Sequence, residues 1–192
     1  LDREQPETDL RTATVNALMQ RFAVDTAHAE RVAATACALF RQAAAPGSER
    51  AERKLEWAAK LHEVGCRISH SDYHRHGAYI LDNTDAAGFA LPELHRLGIL
   101  VLGQRGKVRK LEADLSDASF ALQLICLRLA VALCHARRAP DITEMQLRME
   151  PGTFTLEIPS RWPQAFPQSA HLLQEEMVAW QKTPWELRVQ AD

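Results

Sequence analysis

Apolar residues recur at helical spacing through the first two-thirds of this 192-residue chain and at strand spacing through the last third. That change of period restricts the fold to a helical body with a small sheet-bearing tail. Val15, Leu18, Met19 and Phe22 form the stripe of a helix beginning near Asp9. Asp25 suits the N-cap of a second helix, striped by Val32, Ala36, Leu39 and Phe40, which Ala45-Pro46-Gly47-Ser48 breaks. A third helix is predicted over 52–62, with Gly65 ending it. The next segment begins as loop and continues as helix through Leu81, and 83–88 has turn chemistry. Further helices are expected over 92–102 and 117–137, the latter with Leu122, Ile125, Leu129 and Leu133 on one face. Between them lies a basic loop containing Gly103 and Gly106.

In the tail, Met145, Leu147 and Met149 alternate with polar residues, Pro151-Gly152 makes a turn, and Phe154, Leu156 and Ile158 alternate again. This is a hairpin signature. Residues 168–182 return to helical spacing through Leu173, Met177 and Trp180, and Trp185, Leu187 and Val189 then alternate. The order ββαβ implies a three-stranded sheet with one covering helix and a right-handed crossover. Such a unit is too small to stand alone and is expected to pack on the helices. The predicted class is therefore mainly α, with about six helices over 1–140 and a ββαβ unit over 141–192. Trp162, Trp180 and Trp185 read as core of the tail.

Hydrophobic residues make up 46% of the chain, but no segment has the unbroken apolar length of a membrane span. The net charge of −2 requires any basic site to be local. The leading residues Leu1-Asp2-Arg3-Glu4-Gln5-Pro6 lack the basic region and apolar core of a secretory signal and do not start with Met. They read as an internal piece of a longer protein. Cys37, Cys66, Cys126 and Cys134 are far apart with no CxxC pair, as expected of free thiols in a reducing cytoplasm.

The functional signal is concentrated in one place. Four of the eight histidines, His62, His70, His74 and His76, fall within fifteen residues, and His62 is followed by Glu63 at the end of an apolar helix. Imidazoles and carboxylates so crowded can hold a divalent metal, or imidazole and guanidinium can grip a phosphate oxyanion. The metal reading resembles HD-type phosphohydrolases, in which a His, an adjacent His-Asp and a late Asp hold a metal that activates water. His28 sits where the first His belongs, and Ala58-Ala59-Lys60-Leu61-His62-Glu63-Val64-Gly65 is similar to the doublet segment, with Glu63 replacing Asp. Those enzymes have Asp where this chain has Val131, which cannot coordinate a metal.

A second resemblance covers more of the chain. Leu61-His62-Glu63-Val64-Gly65, then His70-Ser71, then His74-Arg75-His76-Gly77-Ala78-Tyr79-Ile80-Leu81 resembles the C-terminal half of the exopolyphosphatase / guanosine pentaphosphate phosphohydrolase (Ppx/GppA) family. Arg11-Thr12, Thr14-Val15, Val24-Asp25, Gly88-Phe89, Val101 to Arg105, Leu127 to Leu133, Leu156 to Pro159, Trp162 and Glu175-Glu176 resemble other parts of that half. Gly77 stands where the family tends to have Ser, which would remove a hydroxyl donor. The resemblance implies an HD-like bundle plus small α/β tail that helps bind polyphosphate and form a homodimer. It places hydrolysis, with Mg²⁺, in two N-terminal actin-like domains of the same protein. No glycine-rich phosphate loop for such a site occurs here, so no cofactor is expected in this chain.

The residues support anion binding independently. Between His95 and Lys110, sixteen residues carry Arg96, Arg105, Lys107, Arg109 and Lys110 and no acid. A basic groove gains affinity for inorganic polyphosphate or a guanosine polyphosphate by releasing counterions, and Gly103 and Gly106 would let backbone approach closely. The expected contacts are His70, His74, Arg75, His76, Arg105, Lys107, Arg109 and Lys110. Aromatic residues total 6% and are not interleaved with the basic ones, which argues against nucleic acid. Ser69, Ser71 and Asp72 beside His70 have no nucleophile elbow and read as local polarity. Two alternatives stay open. One is a self-sufficient metal-dependent HD phosphohydrolase using His28, His62 and Glu63, with His135 as a further candidate. The other is a ligand-free dimerisation module.

Overall fold

The computed structural model describes residues 4–191, with side chains from residue 10 onward. Leu1 to Arg3, part of the stretch read for a leader, lie outside the described residues. The helical body comprises α1 (Glu4–Arg21), α2 (Thr26–Ala43), α3 (Glu49–Leu61), α4 (Tyr73–Asp82), α5 (Leu91–Gly103) and α6 (Ala118–Leu133). The tail runs β1 (Gln146–Glu150), β2 (Thr153–Ile158), α7 (Trp162–Ala165), α8 (Pro167–Ala179) and β3 (Glu186–Ala191). The mainly helical class with a small ββαβ tail is what the periodicity predicts; α1 starts earlier than its stripe suggests, and α7 is an extra short turn.

Local chemistry sets the ends. The Asp25 carboxylate accepts from the His28 amide and starts α2. Asp117 accepts from the amides of Ser119 and Phe120 and starts α6. Gly65 does not end α3: the helix stops at Leu61, and Gly65 lies in a following 3-10 turn, Val64–Arg67. There a Cβ would fall 1.9 Å from the Tyr73 carbonyl oxygen and 2.5 Å from the Gly77 amide nitrogen. Gly65 is glycine because two backbones touch. Gly77, on the other side of that contact, is buried, and a Cβ on it would lie 2.8 Å from Val101 Cγ1. A serine hydroxyl at this position would face the core, so the expected loss of a ligand donor at Gly77 is corrected to a packing requirement.

Helix α6 departs from the one-faced expectation. Phe120 through Ala130 are all buried, because apolar residues occupy every side of the helix, with Gln123 and Arg128 as its buried polar exceptions. Helices α2, α3, α5 and α8 pack around it. It ends at Leu133 rather than 137, and the chain turns through Arg137 at φ +54°.

The sheet order is β1-β2-β3, with β1–β2 antiparallel and β2–β3 parallel across α7 and α8. Leu147 pairs with Leu156, and Phe154 with Leu187, which directs one face inward. Phe154 stacks on Trp185 at 4.6 Å and meets Trp180 edge-on at 5.7 Å; Trp162, Trp180 and Trp185 are all buried. The tail shares the helical core. Gln42 of α2 accepts from the Leu147 amide at 2.7 Å and donates to the Met145 carbonyl at 3.1 Å, and Trp185 Nε1 donates to the Leu115 carbonyl at 2.9 Å. Cys37, Cys126 and Cys134 are buried free thiols and Cys66 is half-buried. No described helix is long and apolar enough to cross a membrane.

Candidate functional site: a basic turn against the histidine helix

The Gly65–Gly77 contact fixes where α4 begins, and α4 begins beside the turn that follows α5. His74, in the first turn of α4, is 9% exposed, and its Nε2 lies 3.8 Å from where a Cβ would stand on Gly106. The Arg105 guanidinium lies 5.0 Å from the centre of the Tyr73 ring. Two segments thirty residues apart in sequence, 70–76 and 105–110, therefore meet as one basic face. Gly106 adopts φ +79°, a turn conformation glycine accommodates freely.

The predicted residues are not equivalent on that face. Lys107 and Arg109, with Gly106, line an open groove of about 560 Å³ whose far wall is α8 and the turn after it, including Glu175, Val178, Gln181 and Lys182. No carboxylate partner for Lys107, Arg109 or Lys110 is found among the described residues. Arg75 is exposed and stands 3.9 Å from Asp72 across one helical turn. Of the eight predicted residues only Lys107 and Arg109 line that groove; His70, His74, Arg75, His76, Arg105 and Lys110 do not. His74 is a weaker anion partner than its residue type suggests: burial first, and the nearby Arg105 second, push its pKa down, leaving a neutral ring with Nδ1 unpartnered. Arg96 is used elsewhere, bonded to Asp114 and Asp117 and stacked 4.2 Å over Phe120. The contribution of α8 was not legible in sequence, because its groove side has ordinary surface composition.

His28, His62 and Glu63 do come together. One ligand atom from each lies within 4.8 Å of the others. His62 Nδ1 is 2.6 Å from the Ala59 carbonyl, which places the proton on Nδ1 and leaves Nε2 as the acceptor. A cation already serves this cluster: Arg137 donates to Glu63 Oε1 and to Asp25 Oδ2, both at 3.0 Å. His135 is not grouped with them and is 3.0 Å from Ser169 Oγ of the tail. Val131 supplies no ligand atom. Two histidines and a carboxylate are a donor set that can hold a metal with an open water position, but here the Arg137 guanidinium engages the Glu63 oxygen.

Burial pushes the His62 imidazole down to about 4 from 6.5, and burial likewise lowers His28 against the opposing pull of Glu63. The unfolded chain therefore takes up these protons first as pH falls. Stability is expected to be intact above pH 6.5 and to be lost progressively from there toward about pH 4. Urea melts of wild type and His62→Asn, which keeps a donor for Ala59, check this: the variant should show a flatter pH dependence across that window.

Fold and site together define a class: a mainly helical domain with a small mixed sheet, carrying a basic groove where its late turn meets a histidine-bearing helix. Residues 10–178 match the family described as Ppx/GppA phosphatase, domain III, and the chain belongs to that family. Relatives include proteins called guanosine-5'-triphosphate,3'-diphosphate pyrophosphatase. That of Aeromonas hydrophila is 32% identical over 190 residues, covering 95% of this chain and 38% of the relative. That of Pseudoalteromonas translucida is 30% identical over 194 residues, covering 97% and 39%. That of Vibrio cholerae is 33% identical over 162 residues, covering 81% and 32%. The chain thus spans less than two-fifths of the length of these relatives.

Proposed function

We propose that this chain is the HD-like accessory domain of a cytoplasmic Ppx/GppA-type phosphatase, binding inorganic polyphosphate or a guanosine polyphosphate and contributing to a homodimer. Hydrolysis belongs to N-terminal actin-like domains of the parent, with Mg²⁺ held there. The isolated chain binds and does not cleave. The observation that carries this reading is a groove lined by Lys107 and Arg109, which have no carboxylate ion-pair partner among the described residues, in a turn that packs against Tyr73 and His74 at the start of α4. Lys107, Arg109 and Lys182 outnumber Glu175 in the groove, and a net-positive groove attracts a polyanion by counterion release. The rival reading as a self-sufficient metal enzyme is disfavoured by Arg137 on Glu63 and by the valine at 131.

The test is polyphosphate binding by wild type and by Arg75→Ala combined with Lys107→Ala, at low and high salt. Removing two charges is expected to weaken binding about tenfold at low salt and to make the log K against log salt slope shallower by roughly 1–1.5. Unchanged affinity in the double variant would instead favour the ligand-free dimerisation module. Stoichiometric metal with turnover abolished by His62→Ala would favour the rival enzyme.

A further inference from the structure

The cluster at the end of α3 has the make-up of a cation site. His28 and His62 are 6% and 1% exposed, and one ligand atom from each lies within 4.8 Å of the other and of a Glu63 oxygen. The Ala59 carbonyl holds the Nδ1 proton of His62, the kind of backbone contact that orients a ligating imidazole. His28 Nδ1 is buried without a hydrogen-bond partner, and its Nε2 stands 3.9 Å from Glu63 Oε1, longer than a hydrogen bond. Hydrogen bonding alone does not explain why these two rings and a carboxylate share one place.

The chain supplies the cation itself. Arg137 donates to Glu63 Oε1, the oxygen that stands 3.9 Å from His28, and to Asp25 Oδ2 at the N-cap of α2. It does so from a backbone φ of +54°, which residues other than glycine rarely adopt, and the pull of two carboxylates offsets that strain. A divalent ion entering the cluster would meet this like charge on the oxygen it needs. We infer that Arg137 is a tethered substitute for a divalent cation: its guanidinium holds the carboxylate of a site made of two histidines and Glu63, excludes metal from it, and ties the turn after α6 to α2 and to the end of α3. Removing the guanidinium opens a transition-metal site. Imidazole nitrogens with one carboxylate suit Zn²⁺ or Co²⁺ better than Mg²⁺. This inference is independent of the anion groove, which is lined by other residues.

Untagged protein, stripped of metal with a chelator, is titrated with Co²⁺ and followed by visible absorption and calorimetry. Arg137→Gly is expected to bind one Co²⁺ about a hundredfold tighter than wild type, with absorption bands that wild type lacks at one equivalent. Glycine accepts φ +54° freely, so this variant removes the charge without adding backbone strain. Adding His62→Asn, which keeps a donor for the Ala59 carbonyl but removes the second ring nitrogen, is expected to return the affinity to the wild-type level. Thermal melts read the same event: excess Co²⁺ raises the melting temperature of Arg137→Gly and leaves that of wild type unmoved. Should Arg137→Gly not fold, Arg137→Gln decides, since it keeps a hydrogen-bond donor and loses the charge. Equal Co²⁺ affinity in wild type and variant, or tight binding that survives His62→Asn, overturns the inference. So does failure of every folded Arg137 variant to bind Co²⁺.

Discussion

Arg128→Met is expected to lower stability by about 3–5 kcal/mol, the range typical of removing one partner from a buried ion pair. The Arg128 side chain is 3% exposed and makes two bonds of 2.8 Å to the Glu176 carboxylate, and its third nitrogen donates to the Gly103 carbonyl at 2.7 Å. Methionine retains much of the volume but leaves a carboxylate 13% exposed without its counter-charge and a buried carbonyl without a donor. Because Arg128 is on α6, Glu176 on α8 and Gly103 at the end of α5, the loss falls where the tail is tied to the body. For a chain of this length the melting temperature should fall by roughly 2–4 °C per kcal/mol. The double variant Arg128→Met with Glu176→Leu separates charge from packing. It is expected to recover most of the loss, since an apolar replacement of the whole pair is often neutral. Equal destabilisation in single and double variants would show that the pair contributes shape rather than charge complementarity.

What the sequence reveals about this fold follows the range over which its signals act. Periodicity is local, so the six helices of the body and the hairpin were legible from Val15-Leu18-Met19-Phe22 or from Leu147 and Leu156 alone. The spacing of Leu122, Ile125, Leu129 and Leu133 marks one face of α6, whereas its apolar residues lie on every side, and only its position inside the bundle explains Ala121, Leu124 and Leu127. The convergence of 70–76 with 105–110 was legible through family resemblance and charge, whereas α8 as the far wall was not, since Val178 and Gln181 carry no chemical signal of their own. Long-range pairing was the least legible. Arg96 looked like part of a basic run until Asp114 and Asp117 folded back onto it. Glu63 is a metal ligand only in the alternative reading, and nothing near it in sequence announces Arg137, seventy-four residues away.

The same lesson gives the sharpest test of how the site is built. Gly65→Ala is expected to cost about 4 kcal/mol or more, beyond the usual range for overpacking, because the added methyl meets backbone rather than side chain. Its positions of conflict, 1.9 Å from the Tyr73 carbonyl oxygen and 2.5 Å from the Gly77 amide nitrogen, both belong to α4. Neither atom can yield without moving the helix. Gly77→Ala is the milder neighbour, since its Cβ would meet Val101 Cγ1 at 2.8 Å and a side chain can be trimmed. An effect of about 1–3 kcal/mol is expected there, with partial rescue by Val101→Ala. No such rescue is available to Gly65→Ala. Displacing the start of α4 also carries His74 away from the Gly106 turn, so polyphosphate affinity should fall in Gly65→Ala even under conditions where most molecules are folded. Denaturant melts of the three variants, paired with binding at low temperature, check both parts. A Gly65→Ala protein that melts with wild type would mean that the 3-10 turn and α4 do not touch backbone to backbone, and the placement of the basic face would then need another cause.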